Sequence, residues 1–197
     1  MTNVKIVAVC TALPEVIGER SGVPVYSSIS KTPVESREIL LTYTNLYGDQ
    51  QVDTRPKADG RQLHGGNEMV VYVYPSEHYA YWQAEYGQVL PPGSFGENLL
   101  VQGILEADVH LGDRWLWGAA ELEVSKPREP CYKLAMHRGW PNVIAQMRAN
   151  GRCGWYMRVI EPGLVPTYGS IRVLPNDNTG AQTIAERFAL KMRTRTD

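Results

Sequence analysis

Cysteine is scarce in this chain, with only Cys10, Cys131 and Cys153 among 197 residues. Their odd number, wide spacing and lack of any CxxC pair exclude a disulfide framework and fit a reducing compartment. So few scattered thiols also cannot supply the full thiolate set of an ordinary iron–sulfur centre. Neither a P-loop nor a GxGxxG fingerprint is present, so nucleotide and flavin sites of those kinds are not indicated. Excess charge is missing too. The formal net charge of -1 provides no overall basic field, which argues against stable nucleic-acid binding. No apolar run approaches the roughly 20 residues that span a bilayer, and Met1 to Cys10 lacks the features of a signal peptide, so a cytoplasmic protein without membrane attachment is expected. Internal repeats and low-complexity segments are absent as well.

What the chain does have is a 43% apolar composition with 18 glycines and 13 prolines, enough for a real core cut by frequent turns. Val4 to Cys10, Ile39 to Tyr43, Glu97 to Val101, Arg114 to Trp117 and Ala119 to Val124 read as short strands. Helices are few. Pro75 to Gly87 carries Ser76 at a cap position and ends at glycine, Trp140 to Gly151 ends the same way, and the tail from Ala181 reads as one amphipathic helix. The expected fold is mainly β with some α, a closed β-barrel with a few peripheral helices. Residues 1–175 are predicted to form the barrel domain and residues 176–197 a short tail that holds the candidate helix.

The stretch SKPREPCYKL, Ser125 to Leu134, sets Cys131 behind two prolines and among Lys126, Arg128 and Lys133. Nearby cations lower the cost of forming a thiolate, the state that attacks or binds metal. Three further segments combine Gly or Pro with polar groups: Ser28 to Ser36, Tyr47 to Glu68, and Pro91 to Leu99. Glycine lets backbone N–H groups approach a ligand closely. Within them, His64 with Gly65 and Gly66 reads either as an oxyanion-binding segment or as a surface turn. Phe95, Glu97 and Asn98 follow a turn into a strand, which brings a carboxylate and an amide to a barrel mouth or simply builds the turn.

The ordered series Lys31 to Val34 (KTPV), Gly48 to Asp53 (GDQQVD), His64 to Gly66 (HGG), Phe95 to Leu99 (FGENL), Gly112 to Arg114 (GDR) and WGAAELEVSKPREPCYKL resembles the MOSC domain, the C-terminal module of molybdenum cofactor sulfurases. The similarity runs from about Ile6 to Gly163 and is strongest to the stand-alone YiiM-like branch. That branch carries a longer helical segment after the barrel, and the stretch between Asp53 and His64 is longer here than its usual connection.

The resemblance implies a cleft that binds molybdenum cofactor, with Cys131 as the protein ligand to molybdenum. Soft thiolate sulfur suits a thiophilic metal. It further implies cofactor contacts from Lys31, Gly65, Gly66, Phe95, Asn98, Lys126 and Arg128, with His64 and Glu97 beside Cys131 as candidate catalytic groups. Pyridoxal phosphate binding is a further possibility at family level. By the same resemblance the activity is reduction of small N-hydroxylated compounds such as hydroxylaminopurines. Because flavin and iron–sulfur signals are absent, electrons are expected from a separate flavin or iron–sulfur reductase. Two alternatives stay open: a non-catalytic module that carries or delivers cofactor or sulfur, and a cofactor-free cysteine hydrolase with His64 or His137 as base.

Overall fold

The computed structural model describes residues 2–52, 65–178 and 180–194. In chain order the strands are β1 (Thr2–Thr11), β2 (Glu15–Arg20), β3 (Val23–Ser27), β4 (Thr32–Pro33), β5 (Glu38–Leu41), β6 (Val71–Pro75), β7 (Leu99–Gln102), β8 (Arg114–Trp117), β9 (Ala120–Pro127), β10 (Trp155–Glu161), β11 (Gly163–Pro166) and β12 (Ser170–Leu174). The helices are α1 (Glu77–Tyr86), α2 (Tyr132–Arg138), α3 (Val143–Asn150) and α4 (Ile184–Arg193). Seven strands run β12-β8-β9-β10-β6-β7-β1 and close through the β1–β12 pairing. The expected closed β-barrel with peripheral helices is therefore present. No helix of the described residues is long and apolar enough to cross a membrane.

Alternation along the strands divides two cores. Val71 and Val73 on β6, Trp155 and Met157 on β10, and Trp115 and Trp117 on β8 fill the barrel lumen. The opposite faces of β6 and β7, through Tyr72, Tyr74 and Leu100, pack against Trp82 of α1, Leu134 of α2 and Met147 of α3. On β1 a register shift between Ile6 and Ala8 moves the strand from one core to the other. Val4, Ile6 and Val9 belong to the lumen, whereas Ala8 and Cys10 face the helices. Strands β6 and β7 are parallel and need a crossover, which α1 provides.

Ser76 does occupy the cap position of α1, as read from the sequence, but it takes helical backbone angles and makes no side-chain cap bond. A cap position needs extended backbone angles to aim the side chain back at the first turn. Thr183 meets that condition: it forms a capping box with Glu186 at the start of α4, and α4 adds Ile184 and Phe188 to the lumen core.

Candidate functional site

A cleft lies against the outer wall of the barrel, between β6, β10 and the segment leading into α2. It is lined by Ser27 to Ile29 and Lys31, the turn from Asp49 to Val52, Gly65, Tyr72, Phe95, Asn98, Arg128, Cys131, Lys133 and Tyr156, and holds about 720 Å³ of space open in part to solvent. The sequence reading placed the amide and carboxylate of the 97–98 turn at a barrel mouth. The cleft is instead lateral, because Tyr72 and Tyr156 alternate with lumen residues and so point outward.

Two glycines bring its walls together. A Cβ on Gly93 would stand 2.2 Å from the Lys31 carbonyl oxygen, and one on Gly96 would stand 2.7 Å from Ile29 Cγ1, with φ of +91° and +77°. Only glycine allows both the approach and the backbone angle. The turn from Pro91 to Asn98 can thus lie on the 28–31 segment, delivering Phe95 and Asn98 beside Lys31.

Of the residues singled out from the sequence, Lys31, Gly65, Phe95, Asn98, Arg128 and Cys131 line this one cleft. His64 lies outside the described residues, as does the Asp53 to His64 connection. Gly66 sits behind Gly65, its N–H donating to Gln51 Oε1 at 2.6 Å. Lys126 does not line the cleft. It is half-buried on β9, and burial together with the nearby Lys191 of α4 lowers its affinity for a proton.

Glu97 also departs from the expected position. It is fully buried and absent from the cleft wall. Its carboxylate accepts from the Tyr79 hydroxyl, from Gly93 N at 2.8 Å and from Phe95 N at 2.9 Å. Those bonds fasten the turn rather than present a proton to the cleft. Burial raises the pKa of Glu97, and the donated bonds oppose that rise.

Arg128 is 4% exposed. Its guanidinium lies 5.0 Å from the centre of the Tyr72 ring and its Nη1 lies 3.6 Å from Met147 Sδ. Among the described residues no carboxylate pairs with it. Burial works against its charge, but Tyr72, Tyr156 and Cys131 more than offset that and hold it protonated. A buried guanidinium with no carboxylate on it among the described residues leaves its N–H fork for an anion in the cleft. Lys31 differs, since it is paired with the buried Asp49.

The thiols separate by position. Cys10 and Cys153 are fully buried; burial pushes both thiols up, helped by Glu97 at Cys10 and by Glu106 at Cys153. Cys131 alone reaches the cleft, at the residue that precedes α2. No disulfide joins the three.

Reading the sequence missed Asp49, Tyr72, Lys133 and Tyr156 as cleft residues. Asp49 accepts from Ala12 N at 3.0 Å, from Asn98 Nδ2 at 2.9 Å and from Lys31, tying three segments together. Its place in the GDQ motif was the available signal.

One contact beside the cleft predicts a pH effect. His137 of α2 has Nδ1 3.2 Å from Ser30 Oγ, and burial and Arg138 push its imidazole below its ordinary value of 6.5, against a smaller opposing effect of Glu15. The fold therefore favours neutral His137. Its stabilisation is present above the unfolded value and is lost as pH falls through the folded one. Thermal melts should show stability declining on acidification below about pH 6.5, with a shallower decline in His137→Gln. Identical slopes would contradict this assignment.

The closed seven-stranded barrel with its peripheral helices and a lateral cleft lined by Cys131 and Arg128 places the chain among α-decorated β-barrel proteins. The chain belongs to the MOSC domain family, whose profile matches residues 60–173. It is 38% identical to protein YiiM of Escherichia coli over 142 residues, covering 71% of this chain and 60% of that protein. Identity to the uncharacterized protein YflK of Bacillus subtilis is 34%, over 87% of this chain and 72% of YflK. A Gibberella moniliformis protein named "Reductase" is 37% identical over 69% of this chain, which amounts to 24% of its own length. The crystal structure of YiiM from Geobacillus stearothermophilus superposes with a TM-score of 0.77 at 29% identity, covering 98% of this chain and 86% of that one.

Proposed function

We propose that this protein binds molybdenum cofactor in the lateral cleft and reduces small N-hydroxylated compounds, including hydroxylaminopurine-type bases, with electrons from a separate flavin or iron–sulfur reductase. The observation that carries the reading is the meeting of Cys131 with Arg128, a buried guanidinium that has no carboxylate partner among the described residues, in one cleft. A phosphate-bearing cofactor supplies an anion for Arg128, and Cys131 supplies a soft ligand to its metal. Among the described residues no group of three or more His, Cys, Asp or Glu could hold a metal ion. One thiol at the cleft suits a metal that arrives with its other ligands already in place. The name of the Gibberella relative supports an oxidoreductase.

When bound, the cofactor supplies the two-electron redox chemistry. The balance is R–NHOH plus two electrons and two protons giving R–NH₂ and water. The chain's own residues hold and orient: Arg128 and Lys133 set positive charge for the phosphate, while Lys31 is held by Asp49, which Asn98 braces. Tyr72 and Phe95 exclude water from the inner side.

The test is turnover of 6-hydroxylaminopurine by cofactor-loaded protein. Activity is expected only when a reductase is added with NADH or NADPH. Loaded protein that binds cofactor yet never turns over with any reductase would favour the carrier reading, and steady turnover with pyridine nucleotide alone would contradict the need for a separate donor.

A further inference from the structure

The side-chain amides at the cleft do not all face the same demands. Among the described residues three line it: Gln50, Gln51 and Asn98. Asn98 is committed to the fold, its Oδ1 accepting from Tyr72 N at 3.1 Å and its Nδ2 donating to Asp49 Oδ2 at 2.9 Å and to Cys10 O at 3.3 Å. Gln51 is committed too. Its Oε1 accepts from Gly66 N, and its Nε2 donates to Thr44 O at 3.0 Å, Met69 O at 3.3 Å and Gly66 O at 3.4 Å.

Gln50 differs from both. Its amide makes no hydrogen bond among the described residues, yet its backbone is fixed. Gln50 N donates to Ala12 O at 3.3 Å, and its carbonyl accepts from Ser28 Oγ at 2.5 Å. Its two neighbours, Asp49 and Gln51, are anchored by the bonds already described. A residue with a pinned main chain and an open amide loses little backbone entropy when that amide is engaged. The Tyr156 ring lines the same cleft, tilted at 5.3 Å from Tyr72, and aromatic rings of this kind are surfaces against which a planar heterocycle stacks.

We infer that Gln50 is the specificity-determining residue of this cleft, reading heterocycles that present a ring-nitrogen acceptor beside an exocyclic N–H donor. An amide matches that edge with one donor and one acceptor, as glutamine does when it pairs with the N6 and N7 edge of adenine. The inference rests on the proposed reductase reading for its substrates, but the recognition step is separable from the chemistry.

The experiment uses cofactor-loaded wild type and Gln50→Ala, with adenine and 6-hydroxylaminopurine as calorimetric probes and phenylhydroxylamine as a substrate without the edge. Gln50→Ala should weaken adenine and 6-hydroxylaminopurine binding about tenfold, in the range of one bidentate amide contact. The ratio of kcat/KM for 6-hydroxylaminopurine over phenylhydroxylamine should fall by a similar factor, carried by KM. Gln50→Glu, which keeps the shape and removes the NH₂ donor, should fall on the same side. If wild type binds adenine in a Gln50-dependent way but reduces neither hydroxylamine, the reductase reading fails and the role of Gln50 stands. Equal losses on both substrates, an unchanged ratio, or wild-type protein that does not bind adenine would overturn the assignment of Gln50.

Discussion

Cys131→Ser loses reduction of N-hydroxylated compounds by more than about 100-fold, beyond the 10- to 100-fold typical of residues that only support a metal ligand. Serine keeps the shape but offers a harder and far less acidic ligand. Molybdenum content should fall or its spectroscopic signature change, while pterin is retained through Arg128. Thermal stability should move by less than about 1 kcal/mol, as expected for a half-exposed position away from either core. Cys10→Ser and Cys153→Ser should show the reverse pattern. Both thiols are fully buried, so a hydroxyl there costs about 1–3 kcal/mol if it finds no partner, whereas activity per folded molecule stays. Assays and urea titrations of the three variants separate these outcomes, and full activity with normal molybdenum in Cys131→Ser would remove Cys131 from the site.

Glu97→Ala has the largest expected effect on stability. It leaves Gly93 N, Phe95 N and the Tyr79 hydroxyl without their acceptor in a place that water does not reach. Each orphaned donor costs about 1–3 kcal/mol, so the loss should be about 3 kcal/mol or more in urea denaturation. Its consequence for the cleft is indirect, because the same turn carries Phe95 and Asn98. A catalytic proton donor would behave otherwise: Glu97→Gln would keep wild-type stability and abolish turnover. That result would return Glu97 to the chemistry.

The sequence was most informative where one physical signal dominated. Arg114–Trp117 matched β8 at both ends, since turn residues bound it on each side. Strand β6 was hidden because all five of its residues are buried. With Val71 and Val73 in the lumen and Tyr72 and Tyr74 under the helices, no alternation marks it, and its tyrosines merged with the aromatic run of α1. The β2–β3 hairpin was hidden for the opposite reason: most of its residues are exposed, so burial does not pattern it. At the site, the thiol and its cations were legible because they are adjacent in sequence. Asp49 and Tyr156 were not, since their importance comes from what the ends of β1, β4 and β7 bring beside Asp49 and what β6 brings beside Tyr156. Lys126 and Glu97 show the converse: both carry suitable chemistry, yet neither lines the cleft, and Glu97 is fully buried.

The central claim is that this cleft holds molybdenum cofactor through Cys131 and Arg128. The direct measurement is molybdenum and pterin content of wild-type, Cys131→Ser and Arg128→Met proteins purified in parallel from cells that make the cofactor. The account predicts molybdenum and pterin together in wild type, pterin with reduced or altered molybdenum in Cys131→Ser, and loss of both in Arg128→Met. Wild-type protein with neither component, or equal content of both in all three proteins, would contradict it.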